Sequence, residues 1–502
     1  MFLPPKDQID ANAPEFETTP LVKPTGFREY DARWLFPQEI NLMGIQALGF
    51  GLGNVLHDLL GSVKTPAIVV GHDYRSYSQS IKLALINGLT SAGVAVHDIG
   101  LALSPTAYFA QFDLDVPAVA MVTASHNENG WTGVKMGAAR PLTFGPDEMD
   151  KLRDMVLANK GVAREGGSYH FVPGMAERYK ADLSTRAPLG RKIKAVVACG
   201  NGTAGAFAPD VLSAIGVEVI PLHCDLDYSF PNHNPNPEDM GMLHALRDKV
   251  LAHQADIGFA FDGDGDRCGV VDNEGVEIFA DKMGVLVARD LASKHENAVF
   301  VADVKSTGLF ATDPELQAAG ATTHYWKTGH SYMKRHTVET GALAGFEKSG
   351  HYFFNQPIGR GYDDGLVTAI AICDMLENTE GRSMADLRNA LPQAFSSPTM
   401  SPYCADTEKY EVVDRAVAHF EAMAAQGETL IGQKIRDLVT VNGVRVTVED
   451  GTWGLVRASS NKPGLVVVVE SPVSDENMRA MFAAIDALLS GYEEVGEYDQ
   501  KL

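Results

Sequence analysis

Short apolar runs recur along this chain with helix-length stretches between them. They are Ala67-Ile68-Val69-Val70-Gly71, Ala118 to Val122, Ala195 to Ala198, Val217 to Ile220, Ile257 to Phe261 and Val299 to Ala302. Each is far shorter than the ~18 apolar residues a membrane-spanning helix needs. Each suits a strand buried on both faces. Between them, Ser78 to Ala92 and Ala208 to Ile215 read as helices. Strands alternating with helices build βαβ units and mixed or parallel sheets, so the fold class is α/β.

The last hundred residues have a different pattern. Asp406 or Thr407 is placed to cap a helix running to about Ala425, with Val413, Val417 and Phe420 on one face. Val439-Thr440-Val441 and Val444 to Val448 then flank Asn442-Gly443, a hairpin signal, and Leu465 to Val469 is a further strand. This predicts a separate C-terminal α+β domain with a largely antiparallel sheet. A length of 502 residues accommodates about three to five domains. The expected division is 1–170, 171–275, 276–395 and 396–502.

The formal net charge of -23 argues against general nucleic-acid binding, which depends on Lys and Arg neutralising phosphates. It leaves room for an anionic small molecule in a local basic pocket. The five cysteines are scattered and form no CxxC pair, which predicts reduced thiols in a cytoplasmic setting. The N-terminal segment has no basic region followed by an apolar one, so neither a signal peptide nor a membrane partner is expected.

Four motifs carry chemistry. Thr123-Ala124-Ser125-His126-Asn127 directly follows an apolar run, with Gly133-Val134-Lys135 soon after. A serine at a strand end is placed to face a cleft, and His126 and Lys135 could stabilise charge or move protons beside it. A capping serine in a polar turn remains open at this point. Asp262-Gly263-Asp264-Gly265-Asp266-Arg267 sets three carboxylates at alternate positions, an oxygen-rich set suited to Mg²⁺ or Ca²⁺. It is no EF-hand loop: Arg267 stands at the glycine position, Asn273 at the position of the bidentate glutamate, and no helix precedes it.

In Gly345-Phe346-Glu347-Lys348-Ser349-Gly350-His351, Glu347 and Ser349 would face the same way on an extended segment and suit sugar hydroxyls. Arg457-Ala458-Ser459-Ser460-Asn461-Lys462-Pro463 concentrates donors as a phosphate cradle would. Three smaller groups are Tyr30-Asp31-Ala32-Arg33, Lys327-Thr328-Gly329-His330 before a helix, and Lys305 after a strand. Each of these could equally be a solvated segment.

Taken in this order, the motifs resemble the α-D-phosphohexomutase superfamily, and within it the phosphomannomutase/phosphoglucomutase branch, from about Phe27 to Glu470. The resemblance implies four domains around a central cleft, three related α/β domains and a C-terminal α+β domain. It implies an isomerase that interconverts hexose 1-phosphate and hexose 6-phosphate, of mannose and/or glucose, through a phosphoserine and a hexose 1,6-bisphosphate, which also serves as activator. Ser125 resembles the phosphoserine. Asp262, Asp264 and Asp266, with Ser125, resemble the ligands of one Mg²⁺. His126, Lys135, Arg267, Lys305 and His330 match catalytic positions. Tyr30, Arg33, Glu347, Ser349, His351, Arg457, Ser459 and Asn461 match substrate-binding positions.

Phe346 stands where the family often has glycine, Ser460-Asn461 alters the phosphate loop, and Ala32 and Trp34 replace the usual Ile and Gly after Tyr30-Asp31. The rival readings are a metal-dependent phosphosugar phosphatase and a phosphoglucosamine mutase of the same family. The expected assembly is a monomer or homodimer.

Overall fold

The computed structural model describes residues 3–61 and 63–502. The chain divides into two compact units, one of residues 1–278 and 349–385, the other of residues 279–348 and 386–502.

The first unit holds two sheets. One has the strand order Ala32–Leu35, Trp131–Gly137, Ala118–Val122, Ala67–His72, Ala95–Leu101, Ser168–Phe171. Its first two pairings are antiparallel and the remaining three parallel. The run at 118–122 is buried along its whole length, as a central strand covered on both faces must be. Helices Leu42–Leu60, Ser78–Ser91 and Pro146–Leu157 contribute Leu48, Leu52, Leu85, Leu89 and Leu152 to one apolar core with Ile68, Val70 and Ala120. The expected boundary at 170 falls inside the edge strand Ser168–Phe171.

The second sheet runs Glu277–Ile278, Cys268–Asp272, Ile257–Phe261, Lys194–Ala198, Glu218–Leu222. Ile257–Phe261 lies parallel to Lys194–Ala198 and antiparallel to Cys268–Asp272. That hairpin makes Asp262 to Arg267 its turn.

In the second unit, Thr322–Trp326, Val299–Asp303 and Ala344–Phe346 form a parallel array. The C-terminal sheet is antiparallel throughout, in the order Phe395–Ser396, Leu465–Ser471, Trp453–Ala458, Val444–Val448, Gln433–Val439, Thr429–Leu430. Helices Lys409–Gln426 and Asp475–Leu489 pack on it through Val412, Ala416, Phe420, Met481 and Ile485.

Four local expectations need correction. The run at 217–220, expected to be buried on both faces, is the edge strand Glu218–Leu222, whose residues are half-buried or exposed. The helix begins at Lys409, with neither Asp406 nor Thr407 as its cap. Asp406 instead accepts from Lys409 Nζ at 2.7 Å. The hairpin is present, but Val439 pairs with Arg445 across a longer loop. A two-residue turn of the mirror type needs positive φ at both central residues, whereas only Gly443, at +74°, has it here. Finally, Glu347 and Ser349 do not alternate on an extended segment, because the strand ends at Phe346 and a turn follows.

The replaced family positions pack into cores. Trp34 is fully buried, donates from Nε1 to Lys23 O at 2.8 Å and meets Phe27 edge-on. Phe346 stacks on Phe310 with ring centres 5.3 Å apart. Among the described residues no helix is long and apolar enough to cross a membrane.

Candidate active site

Ser125 follows the strand Ala118–Val122 and turns the chain with φ of +51°. The residue is fully buried. Ser125 Oγ donates to Asp262 Oδ2 at 2.9 Å, and His126 Nδ1 stands 3.3 Å from the same Oγ. Four groups hold the loop. Thr123 Oγ1 accepts from Ser125 N at 2.8 Å, and Asp73 Oδ2 accepts from Thr123 Oγ1 at 2.9 Å. Arg75 donates to the carbonyls of Ser125 at 2.9 Å, Asn127 at 2.8 Å and Glu128 at 3.1 Å. Arg33 donates to Asn127 Oδ1 at 2.9 Å.

Opposite the serine, the hairpin turn brings Asp262, Asp264 and Asp266 together, each fully buried, with ligand oxygens within 4.8 Å of one another. Gly263 is required by close approach, since a Cβ there would lie 2.6 Å from Ser125 O. Lys135, brought in by the strand Trp131–Gly137, donates to Asp264 Oδ2 at 2.7 Å and to Asp266 Oδ2. Ser104 Oγ also donates to Asp264 Oδ2, at 2.6 Å.

The charges are strongly perturbed. Burial, then the neighbouring Asp264 and Asp266, raise the Asp262 carboxyl well above its usual range. Burial works against Asp264, yet the Lys135 ammonium and the donors from Lys135 and Ser104 hold it below the ordinary carboxylate value. Lys135 is desolvated too, and the attraction of Asp264 and Asp266 overcomes this and raises it well above a free lysine. Burial, then the cations Arg267 and Arg33, push His126 well below a free histidine.

Three carboxylates face the Lys135 ammonium and the Arg267 guanidinium here, and Oδ1 of Asp264 and of Asp266 is buried with no hydrogen-bond partner. An all-oxygen donor set with excess negative charge and unpaired acceptors fits a hard divalent cation.

Arg267 closes this side. Its Nε donates to His351 Nε2 at 2.9 Å, and its backbone N to Asp262 Oδ1 at 3.2 Å. His351 Nδ1 lies 3.0 Å from Asp363 Oδ2. Tyr30 is buried, and Ser349 lies in the turn before His351. The first unit thus brings Ser125, His126, Lys135, Arg33, Arg267, His351 and the three aspartates into one constellation.

The second unit carries the other candidates. Glu347 Oε1 accepts from Gly329 N at 2.5 Å, which fixes the turn that starts the helix His330–Glu339. Lys305 is half-buried with Nζ 3.9 Å from Asp303 Oδ2. Its loop is gripped on both sides, since Arg445 NH1 donates to Val304 O at 3.0 Å and Ser306 O at 2.7 Å. Arg457 and Ser459 are buried at the end of Trp453–Ala458, and Asn461 is exposed in the turn beyond. Arg457 NH2 donates to Ser460 Oγ at 2.9 Å, and buried Lys409 donates to Ser459 O at 2.6 Å.

Asp73, Arg75, Ser104, Asp363, Lys409 and Arg445 are absent from the sequence-derived set. One signal was available for two of them: His72-Asp73-Tyr74-Arg75 follows an apolar strand, as the serine loop does. The others act at long range on backbone carbonyls and carboxylates, and no local pattern marks them.

Models of the phosphoglucomutase/phosphomannomutase family match four segments. The alpha/beta/alpha domains I, II and III match residues 24–162, 171–275 and 279–395, and the C-terminal domain matches 405–488. A phosphomannomutase/phosphoglucomutase of Pseudomonas putida is 34% identical over 453 residues, covering 90% of this chain and 93% of the relative. A phosphoglucomutase of Neisseria meningitidis is 32% identical over 421 residues, covering 83% and 88%. The crystal structure of a phosphoglucomutase/phosphomannomutase family protein from Burkholderia thailandensis superposes with a TM-score of 0.83 at 30% identity, covering 94% of this chain and 98% of that one. The chain belongs to the phosphoglucomutase/phosphomannomutase family of the α-D-phosphohexomutase superfamily, and with it to a four-domain architecture and to a class of phosphate-transferring isomerases.

Proposed function

We propose that this chain interconverts hexose 1-phosphate and hexose 6-phosphate, of mannose and/or glucose, through a phosphoserine at Ser125. The observation that carries the reading is the contact of Ser125 Oγ with Asp262 at 2.9 Å, beside a buried group of three carboxylates. A divalent cation beside the nucleophile neutralises charge on a phosphoryl group in transfer, and the carboxylates stand beside this serine. Asp262, Asp264 and Asp266, with Ser125, would hold one Mg²⁺, which supplies charge neutralisation during phosphoryl transfer.

The phosphoserine P–O bond breaks as a P–O bond to the free sugar hydroxyl forms. A hexose 1,6-bisphosphate results, and it must turn over before its other phosphate returns to Ser125. The same bisphosphate, used as activator, would reload a dephosphorylated Ser125. His126, 3.3 Å from Oγ, is placed to pass the hydroxyl proton. Lys135 is committed to two carboxylates and serves as a fixed positive charge. Arg267 and His351 would contact the sugar or its phosphate beside the carboxylates.

Tyr30, Arg33, Glu347 and Ser349 would hold the sugar. Arg457, Ser459 and Asn461 would hold the phosphate that is not reacting, with Lys305 and His330 as further cationic contacts. The division 1–170, 171–275, 276–395 and 396–502 assigns the serine loop, the carboxylate loop, the sugar loop and the phosphate loop to one domain each. A cytoplasmic monomer or homodimer is the setting that fits this reading.

Phosphosite mapping by intact and peptide mass spectrometry tests it. After incubation with glucose 1,6-bisphosphate the expected result is one phosphoryl group on Ser125, none on Ser125→Ala, and loss of mutase activity by at least about a thousandfold in that variant. A Ser125→Ala enzyme that still turns over at near wild-type rate would end this reading.

A further inference from the structure

A second pair of reactive groups lies in the first unit, apart from the carboxylates. Cys199 directly follows the strand Lys194–Ala198, and Cys224 comes two residues after Glu218–Leu222. These strands are parallel neighbours with Ala198 opposite Leu222, so both thiols emerge at the same sheet end. The two Sγ atoms are 3.7 Å apart. Cys199 is fully buried and Cys224 is half-buried, with its Sγ also 3.2 Å from Val197 O and 3.6 Å from Leu222 O.

Local chemistry makes the two unequal. The neighbouring Cys199 thiol lowers Cys224 below a free cysteine despite partial burial. Burial raises Cys199 well above it. Two thiols 3.7 Å apart, the less buried one lower in pKa, have the form of an attacking and a resolving cysteine.

We infer that Cys199 and Cys224 form a redox-active dithiol that a hydroperoxide oxidises to a disulfide. The Cys224 thiolate attacks one peroxide oxygen. The O–O bond breaks and the other oxygen leaves, protonated, as alcohol or water. Cys224 is then a sulfenic acid. The Cys199 sulfur attacks that sulfur, an S–S bond forms, and the hydroxyl leaves as water with the Cys199 thiol proton. Two thiols are oxidised and one hydroperoxide is reduced.

The pair is coupled to the carboxylate loop by backbone. Cys199 O accepts from Gly202 N at 2.8 Å, and Thr203 N donates to Gly263 O at 3.3 Å. Thr203 Oγ1 also accepts from Tyr74 N at 2.9 Å, next to the Arg75 that grips the serine loop. Closing a gap of 3.7 Å to the ~2.05 Å of a disulfide draws on this segment. Oxidation therefore disturbs the support of Gly263, between Asp262 and Asp264. This coupling rests on the mutase reading, whereas disulfide formation does not.

The test treats the full-length enzyme with hydrogen peroxide, then maps peptides without reduction and assays mutase activity. The expected result is a Cys199–Cys224 cross-link with loss of two hydrogen masses, together with a loss of most activity that dithiothreitol reverses. Cys224→Ser and Cys199→Ser are expected to match untreated wild type and to resist peroxide. Cys224→Ala serves where serine impairs folding. Absence of the cross-link overturns the dithiol. A cross-linked enzyme of full activity, or equal peroxide sensitivity in Cys224→Ser, overturns the coupling. Enzyme inactive before any treatment, yet cross-linking normally, would point to failure of the mutase reading instead.

Discussion

Ser125 holds a left-handed backbone conformation that a residue with a Cβ adopts only when its surroundings impose it. Arg75 is the main restraint, with its guanidinium spent on three carbonyls of the serine loop and on Asp73. Arg75→Ala leaves those acceptors unpaired, each at a cost of about 1–3 kcal/mol. A drop in kcat of about 100-fold with KM little changed is expected from steady-state kinetics, because the serine loses its geometry while the sugar contacts stay. A fall confined to KM would show that Arg75 does not act on the serine.

Asp364 gives a pH dependence. It caps the helix Gly365–Glu377 and accepts from Tyr179 Oη at 2.8 Å. Burial raises its carboxyl to about 7, against the lowering effect of Val367 N, Tyr179 and Leu366 N. The folded protein therefore binds this proton more tightly than the unfolded chain, whose aspartate titrates near ~4. The contribution is complete below pH ~4 and is lost as pH rises through about 7, on the order of a few kcal/mol. Asp364→Asn keeps the cap and cannot titrate. The Tm advantage of wild type over this variant should shrink from pH 4 to 8, and a growing advantage would refute the argument.

At the scale of elements, the carboxylate loop is a hairpin turn set against the serine turn. The alternation of Asp and Gly was readable as a cation site because its chemistry is local. The reason for Gly263 was not readable, since it depends on Ser125 O from a distant strand end. Gly263→Ala requires the two turns to part. Activity is expected to fall about 100-fold while Tm changes by a few degrees at most, measured by calorimetry beside the assay. An unchanged rate would mean that the spacing of the turns is not critical.

The strand–helix pattern was legible for a related reason. Buried parallel strands read as unbroken apolar runs, and Ala118–Val122 and Ile257–Phe261 have the limits that their sequences imply. The turns were less legible. The loop after Phe346 is bent and the hairpin around Asn442-Gly443 is longer than its dipeptide signal, because neighbouring strands decide register.

At the scale of the molecule, the second unit joins its parallel array to its C-terminal sheet through buried polar groups. Arg445 lies between the rings of Tyr325 and Trp453, at 4.2 and 3.7 Å, while its guanidinium reaches Val304 O and Ser306 O. Glu470 accepts from Thr307 Oγ1, Gly308 N, Trp453 Nε1 and Ser396 Oγ. Burial opposes the ionised form of Glu470, yet Ser396, Gly308 and the cations Lys348 and Arg445 keep its pKa below normal. Arg445→Met removes both ring contacts and strands two carbonyls. A loss of about 3 kcal/mol is expected in urea unfolding followed by tryptophan fluorescence, where Trp326 and Trp453 report on this unit. A shift below about 0.5 kcal/mol would show the joint to be dispensable.

The sequence by itself determined the alternation of strands and helices, the antiparallel character of the C-terminal sheet and the residue types able to hold a cation, a sugar and a phosphate. Each of these depends on periodicity or on neighbours within a few positions. Only the tertiary structure decided that Ser125 meets Asp262, that Lys135 is held by two carboxylates, and that Arg75, Lys409 and Arg445 secure the loops around them. Those contacts join residues tens to hundreds of positions apart, and such pairing is set by how the sheets and helices pack.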